Sequence, residues 1–312
     1  MTKSFAPGMK IQSFPLMISE KLKSYKFWFV FTPYYWLVLF FFIPLALIFK
    51  ISISIDEWGM PPYKDLFEFT ENGFQINATL NNYIFVFSDF YYFKSYLNSL
   101  SLAFTSTLIC LVIGFPIAFY VAKSSERVRN IMLIFLIIPF WTSFLLRVYA
   151  WKVLLQGNGL INSLLIKFGI IDNPLPLLHN HYAVILGVVY TYLPFMILPL
   201  YGYLVKFDLN LIDAAYDLGA KPIKAFFKVI LPLSLPGIVA GSMLVFIPVV
   251  GEFVIPEMLG GSDRLYFGKM IWEEFFQNRD WPIASALAMS GILFLVVPIL
   301  IFQKQYEKYN LK

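Results

Sequence analysis

The sequence predicts an all-α integral membrane protein with about six transmembrane helices. Of its 312 residues, 59% are hydrophobic and 14% are charged, whereas average soluble domains carry about 25% charged residues. The mean hydropathy is +0.70. Apolar stretches of about 20 residues, long enough to cross a bilayer core of about 30 Å, recur along the chain. Because a soluble fold needs more polar surface than this chain offers, its apolar side chains require lipid as their solvent.

Six segments meet the length requirement for a transmembrane helix. They are residues 27–49, 97–122, 131–152, 182–205, 233–257 and 283–302. The first follows Lys21, Lys23 and Lys26 and is too long for the apolar part of a signal peptide. Since no small-residue cleavage pattern follows it either, we expect this segment to be retained as a helix.

The distribution of lysine and arginine orients these helices. If the N-terminus is cytoplasmic, the cytoplasmic tails and loops are richer in both residues than the opposite side, although they are shorter. The positive-inside rule then places both termini in the cytoplasm. The net charge of +5 follows from this sorting. Because the basic residues form no stripe interleaved with aromatics, we expect no nucleic-acid partner.

The predicted spans divide the chain into five regions. These are an N-terminal tail at 1–26, a first transmembrane helix at 27–50, an external segment at 51–95, a membrane core at 96–303 and a C-terminal tail at 304–312. The core includes a cytoplasmic loop at 206–232. The external segments also carry most of the acidic residues, such as Asp56, Glu57 and Asp65.

The loop at 206–232 carries signals for two short helices. Asp208 is a suitable N-cap for the first helix, and Gly219 suits the left-handed position that ends it. Pro222 suits the first turn of the second helix. A small apolar face at helical spacing consists of Leu211, Ala214, Ala215 and Leu218. Two interpretations stay open: a surface on which another protein docks, and an elbow that returns the chain to the membrane.

The same loop contains a motif of fixed spacing. It consists of Asp213, Ala214, Ala215, Gly219, Val229, Leu231 and Pro232. The pattern resembles the cytoplasmic motif of permease subunits in bacterial binding-protein-dependent ABC importers, which reads Glu-Ala-Ala, three residues, Gly, nine residues, Ile, one residue, Leu-Pro. Two positions differ, Asp213 for Glu and Val229 for Ile, and both substitutions keep the charge or the apolar character.

The resemblance implies the architecture of a type I ABC importer permease. In that family this loop is a coupling helix that sits in a cleft of a separate ATPase subunit. Ala214, Ala215 and Gly219 would then form the docking surface, and Asp213 would hydrogen-bond within it.

ATP hydrolysis is expected on that partner and not on this chain. The sequence contains no G-x-x-x-x-G-K-[ST] phosphate loop. The most similar stretch ends in Gly268 and Lys269 but has Asp263 in place of the first glycine. We therefore expect no catalytic residue and no bound cofactor in this chain, with ATP and magnesium on the ATPase.

Other stretches resemble the polyamine branch of the family, with the putrescine and spermidine/putrescine permeases as the nearest types. They are residues 138–151, 193–201, 245–261 and 278–286. The resemblance implies a second homologous permease, an ATPase dimer and a periplasmic polyamine-binding protein as partners. It also implies the bacterial inner membrane, with residues 51–95 in the periplasm. Importers of many solutes share the coupling motif, so another small solute stays open.

Glu252 is the one acidic residue well inside a predicted span. Carboxylates and aromatic faces compensate for burying the ammonium groups of a polyamine, and ionisable residues within a membrane are functional candidates by default. We therefore predict that Glu252 contacts the solute; an ion pair with Arg147 that joins two helices is the alternative. The aromatic candidates, each also suited to a membrane interface, are Trp141, Tyr149, Tyr190 and Tyr192.

Two other functional classes find less support in the sequence. An ion-coupled secondary transporter would favour inverted repeats and several intramembrane acids, and neither is evident. An intramembrane serine protease would need a histidine inside a span, but His179 and His181 lie outside the spans. These histidines have no further ligands nearby in sequence, and Cys110 is the only cysteine, so no metal site or internal disulfide is expected.

Overall fold

The computed structural model describes residues 28–70, 73–208, 210–262 and 264–310. Helices dominate this part of the chain, which confirms the predicted all-α membrane class. Residues 1–26, predicted to be a tail, lie outside the described residues. The two strands found in the described part form one antiparallel hairpin, β1 (Phe67–Thr70) and β2 (Gly73–Ile76).

We number the helices in chain order, ignoring short irregular turns within them. They are α1 (Trp28–Ser52), α2 (Asn81–Ser88), α3 (Phe90–Lys123), α4 (Glu126–Ile137), α5 (Phe144–Leu155), α6 (Leu160–Lys167), α7 (His181–Leu204), α8 (Asn210–Asp217), α9 (Pro222–Leu233), α10 (Leu235–Val250), α11 (Val254–Leu259), α12 (Phe267–Trp272) and α13 (Trp281–Asn310). A π-helical turn follows α12 at Glu273–Gln277.

Within the part of the chain that the structure describes, three helices are each long and apolar enough to cross a membrane: α1, α3 and α7. The number rises to five if two bent pairs each count as one span. The first pair joins Glu126–Trp141 to Phe144–Lys167 at 91°, and the second joins Pro222–Leu233 to Leu235–Val250 at 68°. The apolar stretch Trp281–Val296 of α13 overlaps the sixth predicted segment. All six segments are helical, but two of them are interrupted.

The span predicted at 131–152 is broken in the structure. A 3-10 turn follows α4 at Ile138–Trp141, and the chain bends before α5. Pro139 explains the break, because proline donates no backbone N–H and disfavours the α conformation in the residue before it. The Thr142 hydroxyl donates to the Pro139 carbonyl at 2.7 Å, which stabilises the turn after the break.

The span predicted at 233–257 is broken as well. Helix α10 ends at Val250, and α11 begins only at Val254. Gly251 and Glu252 therefore lie in a break between two helices. This break determines the geometry of the site described below.

The core lies where α3, α7 and α10 pack together. Small residues let these helices approach closely, as is common in membrane proteins. A Cβ atom on Gly241 of α10 would lie 2.9 Å from the Met196 carbonyl of α7, and one on Gly114 of α3 would lie 3.2 Å from Cγ of the same methionine. Met196 itself is fully buried. Helix α7 is therefore held between its two neighbours.

The predicted external segment is ordered around the end of α1. The Asn82 side-chain amide donates to the carbonyls of Ser52 and Ser54, each at 2.9 Å. The hydroxyls of Ser52 and Tyr83 are 2.7 Å apart. Because Ser52 and Ser54 are fully buried, these hydrogen bonds satisfy polar groups that have lost contact with water.

Candidate functional site

The predicted coupling loop folds as two short helices, α8 and α9, joined at Gly219. The Asp208 carboxylate accepts the backbone N–H of Asn210 at 3.0 Å at the start of α8. At its end, the N–H groups of Gly219 and Ala220 donate to the carbonyls of Tyr216 and Ala215 at 2.8 and 2.9 Å. This is the Schellman pattern, which requires a left-handed residue at the position of Gly219. Its φ of +78° confirms the prediction.

The apolar face predicted for α8 points away from the body of the protein. The residue that packs into the core is Ile212, which is 3% exposed, whereas Leu218 is 90% exposed. Leu211, Asp213 and Ala214 are exposed as well, and Ala215 is half-buried. The sequence pattern did not identify Ile212 as the anchor. The exposed face leaves the paired alanines free for contact with another protein.

The second half of the motif connects α8 to the membrane core. Helix α9 has Pro222 in its first turn, as predicted, and contains a π-helical turn at Phe226–Ile230. Val229 and Leu231 are half-buried, and Leu231 packs against the hydrophobic core. Pro232 is exposed near the 68° bend into α10. A short, partly buried helix therefore links α8 to α10.

Glu252 lies in the break between α10 and α11 and is 8% exposed. Its Oε1 atom accepts the backbone N–H groups of Val254 and Ile255 at 3.0 and 3.4 Å, so the carboxylate caps the start of α11. Its Oε2 atom accepts the Tyr192 hydroxyl of α7 at 2.6 Å. Two of the predicted pathway residues, Glu252 and Tyr192, are therefore in direct contact.

Two glycines allow this arrangement by close packing. A Cβ atom on Gly268 of α12 would lie 2.3 Å from the Gly251 carbonyl oxygen and 2.9 Å from that of Glu252. A Cβ atom on Gly187 of α7 would lie 2.5 Å from Leu259 of α11. Helix α12 therefore packs directly on the backbone of the break, and α11 packs directly on α7.

Arg147 makes a different contact from the predicted alternative, an ion pair with Glu252. Its guanidinium carbon lies 5.7 Å from the centre of the Phe140 ring, within the range of a cation–π interaction. The Phe140 ring packs edge-on against Phe195, with ring centres 5.1 Å apart, and the centres of the Phe195 and Tyr192 rings are 5.9 Å apart. A row of three aromatic rings, of which Tyr192 is the last, therefore lies between the Arg147 side chain and Glu252.

The other predicted aromatic residues are not gathered around Glu252. Trp141 is 87% exposed and Tyr149 is 55% exposed. Tyr190 packs edge-on against Trp151 at 5.4 Å. Exposed positions on membrane helices suit contact with lipid or with another subunit. Among the described residues, no group of three or more histidine, cysteine or acidic side chains could hold a metal ion.

Comparison with known proteins assigns the family. Residues 111–306 match the family model of the binding-protein-dependent transport system inner membrane component. The chain belongs to this family of permeases.

Relatives of the permease include proteins named for polyamine transport. It is 38% identical over 277 residues to the spermidine/putrescine transport system permease protein PotB of Haemophilus influenzae. The aligned region covers 89% of this chain and 92% of the relative. The PotB protein of Escherichia coli K12 is equally similar, with 96% of the relative covered. The inner membrane ABC transporter permease protein YdcU of Escherichia coli is 30% identical over 228 residues.

The fold of the permease is also found in solved structures. A chain of a bacterial ABC transporter that imports the acidic polysaccharide alginate superposes with a TM-score of 0.67 at 14% identity, over 94% of this chain and 98% of that one. A second structure of an alginate ABC transporter gives 0.65. The architecture is that of a type I ABC importer permease, as predicted, and the family is one of transport subunits without an ATPase site of their own. Membership excludes the secondary transporter and the protease considered from the sequence.

Proposed function

We propose that this permease imports polyamines, putrescine or spermidine, driven by ATP hydrolysis on a partner. The observation that carries the choice of solute is the 38% identity, over nearly nine tenths of the chain, with permeases named for these two compounds. The buried carboxylate of Glu252 supports it, because an ammonium group that enters the membrane needs an anionic partner.

The same proposal assigns the partners and the location. An ATPase dimer that binds ATP and magnesium docks on the exposed face of α8, where Ala214, Ala215 and Gly219 form the contact surface. A second homologous permease completes the channel, and a periplasmic polyamine-binding protein delivers the solute. The chain crosses the bacterial inner membrane several times with both termini in the cytoplasm. Closure of the ATPase dimer moves α8, and α9 transmits this movement to α10 and the break at Glu252.

The proposal is tested with the permease, its partner permease, the ATPase and the binding protein rebuilt in proteoliposomes. We expect ATP-dependent accumulation of radiolabelled putrescine or spermidine that requires all four components. ATP-dependent uptake of an amino acid or a sugar, without uptake of either polyamine, would assign this permease to another solute.

Replacing Glu252 by glutamine is expected to reduce polyamine uptake by about tenfold or more, because hydrogen bonds to charged groups contribute about 1.5–3 kcal/mol. Glutamine keeps an oxygen that can cap α11, so the fold is retained. The matched control is Glu257→Gln, which removes a carboxylate that lies within α11, is paired at 2.9 Å with Lys269 and is 42% exposed. Initial rates of putrescine uptake, normalised to assembled complex, provide the measurement. If Glu252→Gln took up putrescine as fast as Glu257→Gln and the wild type, Glu252 would be excluded from the pathway.

A further inference from the structure

The two oxygens of the Glu252 carboxylate have partners of different kinds. Oε1 accepts two backbone N–H groups in the first turn of α11. These donors cannot leave unless the helix unwinds. Oε2 accepts the hydroxyl of Tyr192, a side chain from a different helix. This donor can be replaced without breaking any secondary structure.

We propose that the Tyr192 hydroxyl occupies the place on Oε2 of Glu252 that a substrate ammonium group takes. The hydroxyl is displaced when the substrate binds. The inference rests on the proposed function and specifies how Glu252 would bind its ligand. A primary ammonium donates up to three hydrogen bonds and carries a full charge, so it competes for Oε2 with a neutral phenol. In the absence of substrate, the phenol satisfies a buried carboxylate oxygen that would otherwise be costly to leave unpaired.

The same geometry defines the chemical class of the cation. Guanidinium groups prefer to bind a carboxylate through both oxygens in a planar, bidentate pair. Oε1 of Glu252 is already engaged by the backbone, so only Oε2 is available for exchange. A single oxygen suits an ammonium group, which acts as a point charge. The site should therefore select primary amines over guanidines.

The aromatic row holds the Tyr192 ring in place while its hydroxyl changes partners. The ring packs against Phe195, which in turn packs against Phe140. Removing the hydroxyl alone leaves these contacts intact. The hydroxyl of Tyr192 therefore competes with substrate, whereas the ring only packs against its neighbours. Removing the hydroxyl alone separates these two roles.

The test measures equilibrium binding of radiolabelled putrescine to the purified complex of both permeases and the ATPase, without the binding protein. Tyr192→Phe removes the competing hydroxyl and is expected to lower Kd by about tenfold, the effect of one hydrogen bond to a charged group. Glu252→Gln is expected to raise Kd by about tenfold or more, alone and combined with Tyr192→Phe. The control is Tyr182→Phe, which removes a hydroxyl from an 81% exposed position at the start of the same helix and should leave Kd unchanged.

A second arm compares competitors in the wild-type complex. Unlabelled 1,4-diaminobutane should displace the radiolabelled putrescine. The bis-guanidine of the same chain length should need an at least about tenfold higher concentration for the same displacement. Unchanged or weaker binding by Tyr192→Phe, or equal displacement by the bis-guanidine, would overturn the inference while leaving the polyamine assignment intact. If the wild-type complex neither transports nor binds putrescine or spermidine, the proposed function fails, and this inference fails with it.

Discussion

Replacing Gly219 by asparagine is expected to abolish most ATP-dependent uptake while leaving the fold of the permease unchanged. Gly219 has a φ of +78° and ends α8. Asparagine tolerates this left-handed conformation better than other residues with a side chain, so the cost to folding should be about 1 kcal/mol or less. Apart from its two chain neighbours, no residue that the structure describes lies within 4 Å of the position that a Cβ atom would occupy.

The added side chain therefore projects from the face that we assign to the ATPase. A side chain inserted into the centre of a packed interface costs about 2 kcal/mol or more, which corresponds to roughly 30-fold in affinity. We expect ATP-dependent putrescine uptake to fall by at least tenfold, together with reduced copurification of the ATPase. Thermal unfolding of the permease in detergent should show a midpoint close to that of the wild type.

Gly169 provides a matched control for this prediction. It has a φ of +67°, and apart from its chain neighbours no described residue lies within 4 Å of its Cβ position. The N–H groups of Gly169 and Ile170 donate to carbonyls in α6 in the same pattern. Because Gly169→Asn makes the same change at a site without an assigned partner, it should leave uptake unchanged. Equal losses in both variants would show that the backbone conformation, and not docking at α8, explains the effect.

The fold of the coupling loop could be predicted because its signals are local. Asp208, Gly219 and Pro222 each act on backbone groups within a few residues, so their pattern in the sequence determines where α8 ends and α9 begins. The orientation of α8 is not local. Whether Ile212 or the face with Leu218 is buried depends on the helices that α8 packs against, and spacing within α8 cannot reveal this.

The site at Glu252 was predicted only in part. An isolated acid in an apolar span identified the residue, and the nearby Pro248, Gly251 and Pro256 indicated that the helix can deform there, but not that it is interrupted. The interruption depends on contacts between residues far apart in sequence, including Tyr192 with Glu252 and Gly268 with Gly251. Arg147 was predicted as the alternative partner of Glu252 on charge alone, yet its guanidinium contacts the Phe140 ring, which became accessible through the break at Pro139.

The contact between Gly268 and the break supports a second prediction with a large effect. Gly268→Ala would place a methyl group 2.3 Å from the Gly251 carbonyl oxygen and 2.7 Å from its carbon. These are backbone atoms, so no side chain can rotate to relieve the clash. Overpacking of this kind costs about 1–3 kcal/mol and sometimes more. We expect a lower thermal unfolding midpoint in detergent, by roughly 5 °C, and loss of uptake because Glu252 is displaced.

Gly251→Ala is the matched control for this clash. Gly251 has a φ of −91°, which alanine adopts readily, and the nearest atom to its Cβ position is the Pro248 carbonyl oxygen at 3.9 Å. This variant should therefore keep both its unfolding midpoint and its uptake, although it adds a methyl group to the break itself. A comparison with Glu252→Gln separates the two effects, since that variant should lose uptake at an unchanged midpoint. If Gly268→Ala also kept its unfolding midpoint and its uptake, α12 would not fix the backbone around Glu252. Only Tyr192 and the start of α11 would then hold the carboxylate in position.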